Sequence, residues 1–177
     1  MAIEIERKFL VLDDRWRAQA HRTIPMAQGY LNDQASLDEG RQQVSVRVRL
    51  EGDEARLNLK SRDLGHTREE YDYAIPVEDA RALLARCVGG LIDKRRHLVA
   101  FGDHLWEVDE FLGDNAGLVV AEVELDDGDE AFARPPWLGA EVTDIVRYYN
   151  LALAARPFSQ WRDDERDGRD LESVPCS

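Results

Sequence analysis

Charged side chains recur at every second position through much of this chain, and they are sorted by sign. Glu4, Glu6 and Lys8 alternate with Ile3, Ile5 and Phe9, although Arg7 interrupts the apolar set. Arg47 and Arg49 alternate with Val44, Val46, Val48 and Leu50, and Lys60 follows Leu57 and Leu59. Arg68, Glu70 and Asp72 oppose Tyr71, Tyr73 and Ile75, and Lys94 and Arg96 come next. Glu107 and Asp109 oppose Trp106 and Val108, and Glu122 and Glu124 oppose Val123 and Leu125. A period of two puts each set on one face of a strand. A solvated outer face accounts for any one of these strands, but solvation alone does not sort charges by sign. If the apolar faces turn outward under helices, the charges line a wet lumen. Arg forks and Lys ammoniums both bind phosphate oxygens. The facing carboxylates cannot all stay ionised without cations between them, and hard divalent ions with oxygen ligands, Mg²⁺ or Mn²⁺, meet that need. Phosphate, metal and water in one cavity is a setting for phosphoryl transfer.

The elements that position these residues are mostly strands. Alternation marks segments 2–11, 24–32, 43–51, 54–63, 66–75, 92–101, 104–111 and 117–125. Gly52-Asp53, Gly65, Gly102-Asp103 and Gly113-Asp114 supply turns between several of them. Helices are predicted near 13–20 after an Asp13-Asp14 cap, over 77–87 between Pro76 and Gly89-Gly90, and from Thr143-Asp144 to before Pro157. Short turns between so many strands predict an α+β (mainly β) chain: an eight-stranded antiparallel closed β-barrel, flanked by helices, with a charged lumen. Residues 1–158 form its single domain. Residues 159–177, rich in Asp, Glu and Arg, are expected to lie loose as an acidic tail.

The motifs in order resemble the CYTH domain family, the triphosphate tunnel metalloenzymes, over about residues 1–155. They begin with Glu4-Ile5-Glu6-Arg7-Lys8 and continue through Gln28-Gly29-Tyr30-Leu31, Val46-Arg47-Val48-Arg49 and Leu59-Lys60. Arg68-Glu69-Glu70-Tyr71-Asp72-Tyr73, Lys94-Arg95-Arg96-His97, Trp106-Glu107-Val108-Asp109, Glu122-Val123-Glu124 and Val142-Thr143-Asp144 complete the series. The resemblance implies an eight-stranded tunnel that takes a triphosphate with divalent metal. It implies phosphate ligands at Lys8, Arg47, Arg49, Lys60, Lys94 and Arg96. Metal-side carboxylates are implied at Glu4, Glu6, Glu122 and Glu124, with Glu70, Asp72, Glu107 and Asp109 in support; Asp72 and Asp109 are shorter than the Glu often found there. The Gln-Gly-Tyr strand resembles the short bacterial triphosphatase branch, which implies a Tyr30–Lys94 pair in proton handling, with the ammonium favouring phenolate. The expected reaction is metal-assisted hydrolysis of inorganic triphosphate to pyrophosphate and phosphate, with a carboxylate or Tyr30 taking a proton from water.

The remaining signals exclude more than they add. With 23 Lys+Arg against 36 Asp+Glu, the net charge of −13 argues against a nucleic-acid footprint. No apolar run reaches the roughly 20 residues of a membrane helix. Charges at Glu4, Glu6, Arg7 and Lys8 do not suit a signal peptide. Cys87 and Cys176 form no disulfide or metal spacing, so a cytoplasmic protein is expected. His21, His66, His97 and His104 lack zinc spacing, and the chain has no P-loop. Trp16, Trp106 and Trp137 read as packing residues, and Asp144 as a helix cap or a tunnel-end residue, the cap being favoured. The expected partner is a small-molecule triphosphate, with the chain a monomer or homodimer. Alternatives are a nucleoside or thiamine triphosphatase, a class IV adenylate cyclase, or a non-catalytic polyphosphate or nucleotide binder.

Overall fold

The computed structural model describes residues 5–61 and 69–173. Eight strands follow the predicted alternation: β1 (Ile5–Val11), β2 (Ala20–Tyr30), β3 (Val44–Glu51), β4 (Glu54–Ser61), β5 (Glu70–Ala74), β6 (Val88–Phe101), β7 (His104–Phe111) and β8 (Val119–Leu125). A ninth, β9 (Leu138–Glu141), has only four residues, one of them Gly139, and so leaves no alternation to read. All nine form one sheet in the order β5-β4-β3-β2-β6-β7-β8-β1-β9, and every described pairing is antiparallel.

The sheet is not a closed barrel, which corrects the eight-stranded closed prediction. Closure would need β1 to pair with β5, but β9 takes the edge of β1 from Phe9 to Val11. β5 forms the opposite edge, and four of its five residues are exposed. The sheet is nevertheless strongly rolled. Six strand intervals separate β4 from β1, a distance of roughly 29 Å if the sheet were flat. Lys60 on β4 still acts electrostatically on Glu6 of β1, and Lys8 of β1 on Tyr30 of β2. The result is an open trough.

The predicted charged sets share its inner face. Cross-strand partners such as Lys60↔Glu70, Arg96↔Asp109, Glu107↔Glu122 and Lys8↔Glu122 place them there. Apolar residues take the outer face, in two clusters. Helix α1 (Gln34–Asp38) is a short loop helix, whereas α2 (Val77–Leu84) lies outside β2–β4, where Ala80 and Leu84 pack on Val48 and Ala55. Gly29 permits this contact, because a Cβ there would lie 2.6 Å from the Cys87 Sγ. The β3–β4 hairpin turns on Gly52 with φ +57, a value that favours glycine. On the other half, Trp16, Trp106 and Trp137 are each 0% exposed and pack with Phe9, Val99 and Val123. Trp16 comes from a 3₁₀ turn (Asp14–Ala18) whose cap Asp13 accepts from the Arg15 backbone N–H at 3.0 Å.

A third cluster plugs one end of the inner face. Tyr30, Ile92, Phe111 and Val120 meet Tyr148, Leu153 of α3 (Asn150–Ala155) and Trp161 there. Trp161 is 4% exposed and precedes α4 (Asp163–Arg166), in which Arg156 grips Glu165 at 2.6 Å. Part of the stretch read as a loose tail from residue 159 thus packs on the body, because one Trp and one buried Glu anchor an otherwise polar segment.

Candidate functional site

Strands β6, β7, β8 and β1 build a tight ionic network. Their register sets Arg96 opposite Asp109 and Glu122 opposite both Glu107 and Lys8. Asp109, 0% exposed, receives Lys94 Nζ at 2.5 Å and Arg96 Nε at 2.8 Å. Glu122 receives Lys8 Nζ at 2.7 Å and Arg96 at 3.0 Å, and Arg96 also reaches Glu107. Burial pushes the Asp109 carboxyl up, but Lys94 and Arg96 outweigh it and hold it far below the usual carboxylate range. Burial and Asp109 act upward on Glu122, yet Lys8, Lys94 and Arg96 leave it lowered. Burial lowers the Lys94 ammonium; the Lys8 ammonium is raised because Glu122 and Glu6 overcome its burial. Lys8 is held from behind by Thr143, whose Oγ1 accepts its backbone N–H at 3.0 Å, and its ammonium lies 5.1 Å from the Tyr149 ring centre.

The arginines of β3 are held differently. Arg47 donates to Asn58 Oδ1 at 3.1 and 3.2 Å and lies 3.9 Å from Glu70. Asn58, 2% exposed, passes its own amide hydrogens to Asp72 at 2.6 Å and Glu70 at 3.3 Å. Arg49 sits 3.5 Å from Glu51, and its Nε finds no hydrogen-bond acceptor among the described residues. Burial and then Arg47 lower the Arg49 guanidinium. Lys60 pairs with Glu70 at 3.0 Å, and Arg56 with Asp72 at 2.6 Å.

Two predicted carboxylates remain less committed. Glu6 and Glu124 are direct cross-strand partners and both exposed. Glu6 keeps 49% of its side chain open to solvent while the trough walls crowd it, and Lys8 is 4.0 Å away. This partial burial, then Glu122, raises its carboxyl above the usual range. Burial likewise raises Glu107, Arg96 opposing, with Asp109 and Glu122 adding to the rise. Glu107 and Glu124 line one cavity of about 400 Å³ with Ile5, His104 and Glu130. Among the described residues no three His, Cys, Asp or Glu side chains come together as a ready metal site. Exposed Glu6 and Glu124 suit part of a hard cation's oxygen shell, which water and substrate oxygens would complete. Glu122 is already engaged by two cations, and Glu4 lies outside the described residues.

The structure does not join Tyr30 to Lys94. Lys94 is bound to Asp109, and Lys94 faces Met26 in the register while Tyr30 faces Val88. Burial raises the Tyr30 phenol, against Arg47, Lys8 and Arg49, which favour phenolate. Asn58 and Thr143, which hold Arg47 and Lys8 in place, are not singled out by charge alternation. Asn58 and Arg56 share the period-two face of Lys60, so spacing carried the signal, and a search for ionic types passes over Asn58.

Residues 2–156 match the model of the CYTH domain family. The chain belongs to that family. The inorganic triphosphatase of Acetivibrio thermocellus is 40% identical over 164 residues, 92% of this chain and 100% of that protein. That of Nitrosomonas europaea is 37% identical over 157 residues, 85% and 96% of the two chains. The crystal structure of an inorganic triphosphatase superposes with a TM-score of 0.65 at 35% identity, covering 87% of this chain and 95% of that one. As in the motif series, the CYTH match takes in every strand of the trough.

Proposed function

We propose that this CYTH protein hydrolyses inorganic triphosphate to pyrophosphate and phosphate with a divalent metal, Mg²⁺ or Mn²⁺. The observation that carries the reading is the opposition across the trough of under-paired cations, Arg47 and Arg49, and exposed carboxylates, Glu6 and Glu124. An anion-binding site alone needs the first set only. Its relatives' activity as inorganic triphosphatases agrees with this.

In the proposed mechanism Arg47, Arg49 and Lys60 bind the phosphate oxygens and stabilise the charge that spreads over the transferring group. Lys8 and Arg96 present charge from fixed positions, because Glu122 and Asp109 hold them there. Lys94, 2% exposed, acts through Asp109 as a positioning residue. Glu6 and Glu124 would hold the metal. When bound, that ion neutralises phosphate oxygens and lowers the pKa of a water molecule. Glu107, whose carboxyl is raised above its ordinary range, is better suited to accept the proton than Tyr30, whose raised phenol stays protonated at neutral pH.

The test is phosphate release from tripolyphosphate, ATP and thiamine triphosphate in parallel, each with Mg²⁺, Mn²⁺, Ca²⁺ or chelator. The proposal expects fast metal-dependent release from tripolyphosphate and much slower release from ATP. Release no faster than in chelator, or cyclic AMP formed from ATP, would overturn it.

A further inference from the structure

A buried hydrogen-bond donor without an acceptor costs about 1–3 kcal/mol, and native interiors retain few of them. Two such donors stand side by side in the trough. Gln28 of β2 is 1% exposed, and its Nε2 has no hydrogen-bond partner among the described residues. The Arg49 Nε shares that condition. Gln28 and Arg49 are direct cross-strand partners, so their side chains leave the same face with Cβ atoms about 5 Å apart.

Nothing in the local packing calls for an amide at position 28. Its neighbours along the inner face are Met26 and Tyr30, 3% and 7% exposed, and its partner on β6 is Ile92, 0% exposed. A Leu or Met there would complete an apolar floor without an orphaned donor. Glu51 lies 3.5 Å from the Arg49 Nε but is not placed to accept from it. A third cation in place of Gln28 would face Arg47 and Arg49 at close range, whereas a neutral amide adds a donor without repulsion. What fits between two such donors is an anionic oxygen.

We infer that Gln28 is a further substrate-binding residue, whose amide N–H joins the Arg49 Nε–H in a two-donor seat for a non-bridging phosphate oxygen. The inference rests on the triphosphatase reading for the identity of the anion. It has its own signature: an amide kept for a ligand weakens the free protein and strengthens the complex, while a structural amide stabilises the free protein and leaves the affinity unchanged.

Gln28→Met, close in volume and without donors, separates the two. The readouts are the thermal midpoint of the free protein, the tripolyphosphate Kd by calorimetry in chelator, and kcat and KM with metal. The expected result is a midpoint equal to or above wild type, with Kd and KM weakened by about tenfold or more, the loss of a charge-assisted hydrogen bond. Gln28→Glu, which sets a carboxylate against the anion, is expected to weaken Kd further. A Kd for Gln28→Met within about twofold of wild type overturns the inference, whatever the midpoint does. Should Gln28→Met not fold, Gln28→Asn, with its amide drawn back by one methylene, decides by the same Kd criterion. Wild type that binds tripolyphosphate in chelator but never hydrolyses it refutes the triphosphatase reading and leaves the Kd comparison decisive for Gln28. Wild type that binds none refutes both.

Discussion

The two sides of the trough carry the same residue types and use them differently. On β6, β7, β8 and β1, cations and acids meet at 2.5–3.0 Å around Asp109 and Glu122, with both acids buried. On β3, the ion pairs of Arg47 and Arg49 lengthen to 3.9 and 3.5 Å, and Arg47 leans on a neutral amide instead. A cation locked into a buried pair is a fixed source of field and has little hydrogen-bonding capacity left. One held loosely keeps donors for a ligand. That contrast suits the first region to setting the geometry and the second to gripping a phosphate, a division that counts of Lys and Arg do not reveal.

The comparison breaks most visibly at Asp109. Asp109→Ala leaves Lys94 and Arg96 without their shared acceptor, and breaking a buried pair this way costs about 3–5 kcal/mol, readable by urea or thermal unfolding. Because the folded Asp109 carboxyl lies below its unfolded value, its contribution is present above about pH 4 and fades as pH falls toward the folded value. Wild type should lose stability through that acid range, and Asp109→Ala should lose less there. Equal acid sensitivity would detach Asp109 from the network's strength.

Arg47→Ala, on the gripping side, is expected to lower kcat/KM for tripolyphosphate by about 10²–10³, with a much smaller change in thermal midpoint than Asp109→Ala. A large midpoint loss with near-normal turnover would exchange the roles of the two regions. Asn58→Leu strips Arg47 of its acceptor and should cost about 1–3 kcal/mol. It should also raise KM more than it lowers kcat in steady-state kinetics, since the guanidinium is present but no longer aimed.

The smallest expected effect is on pH. The raised carboxyl of Glu107 puts the acid limb of kcat/KM above the ordinary carboxylate value near 4.5. The ionised form is the working one, so activity is lost as pH falls through the raised value. Glu107→Gln should move that limb in a pH–rate profile without abolishing turnover.

Much of this was legible in the chain. Period two named eight strands, and the sign-sorted faces named the inner surface, because Cβ direction is a local property of extended backbone. Closure was not legible. It depends on what pairs with the β1 edge, and β9 is too short to announce itself. Nor could alternation tell that Glu122 is committed to Lys8 and Arg96 while Glu6 and Glu124 are not, since partner choice is set by register across strands distant in sequence. The same limit hid Asn58, whose neutral amide links Arg47 to Glu70 and Asp72, and it hid the bond of Lys94 to Asp109.

The most direct test of the division between gripping and metal-holding residues sets Arg49→Gln beside Glu6→Gln. Tripolyphosphate Kd would be measured calorimetrically in chelator, and turnover with Mg²⁺ and Mn²⁺. The account predicts that Arg49→Gln weakens binding in chelator, whereas Glu6→Gln leaves it equal or tighter and loses metal-dependent turnover. Weakened chelator binding in Glu6→Gln, together with unchanged binding in Arg49→Gln, would contradict it.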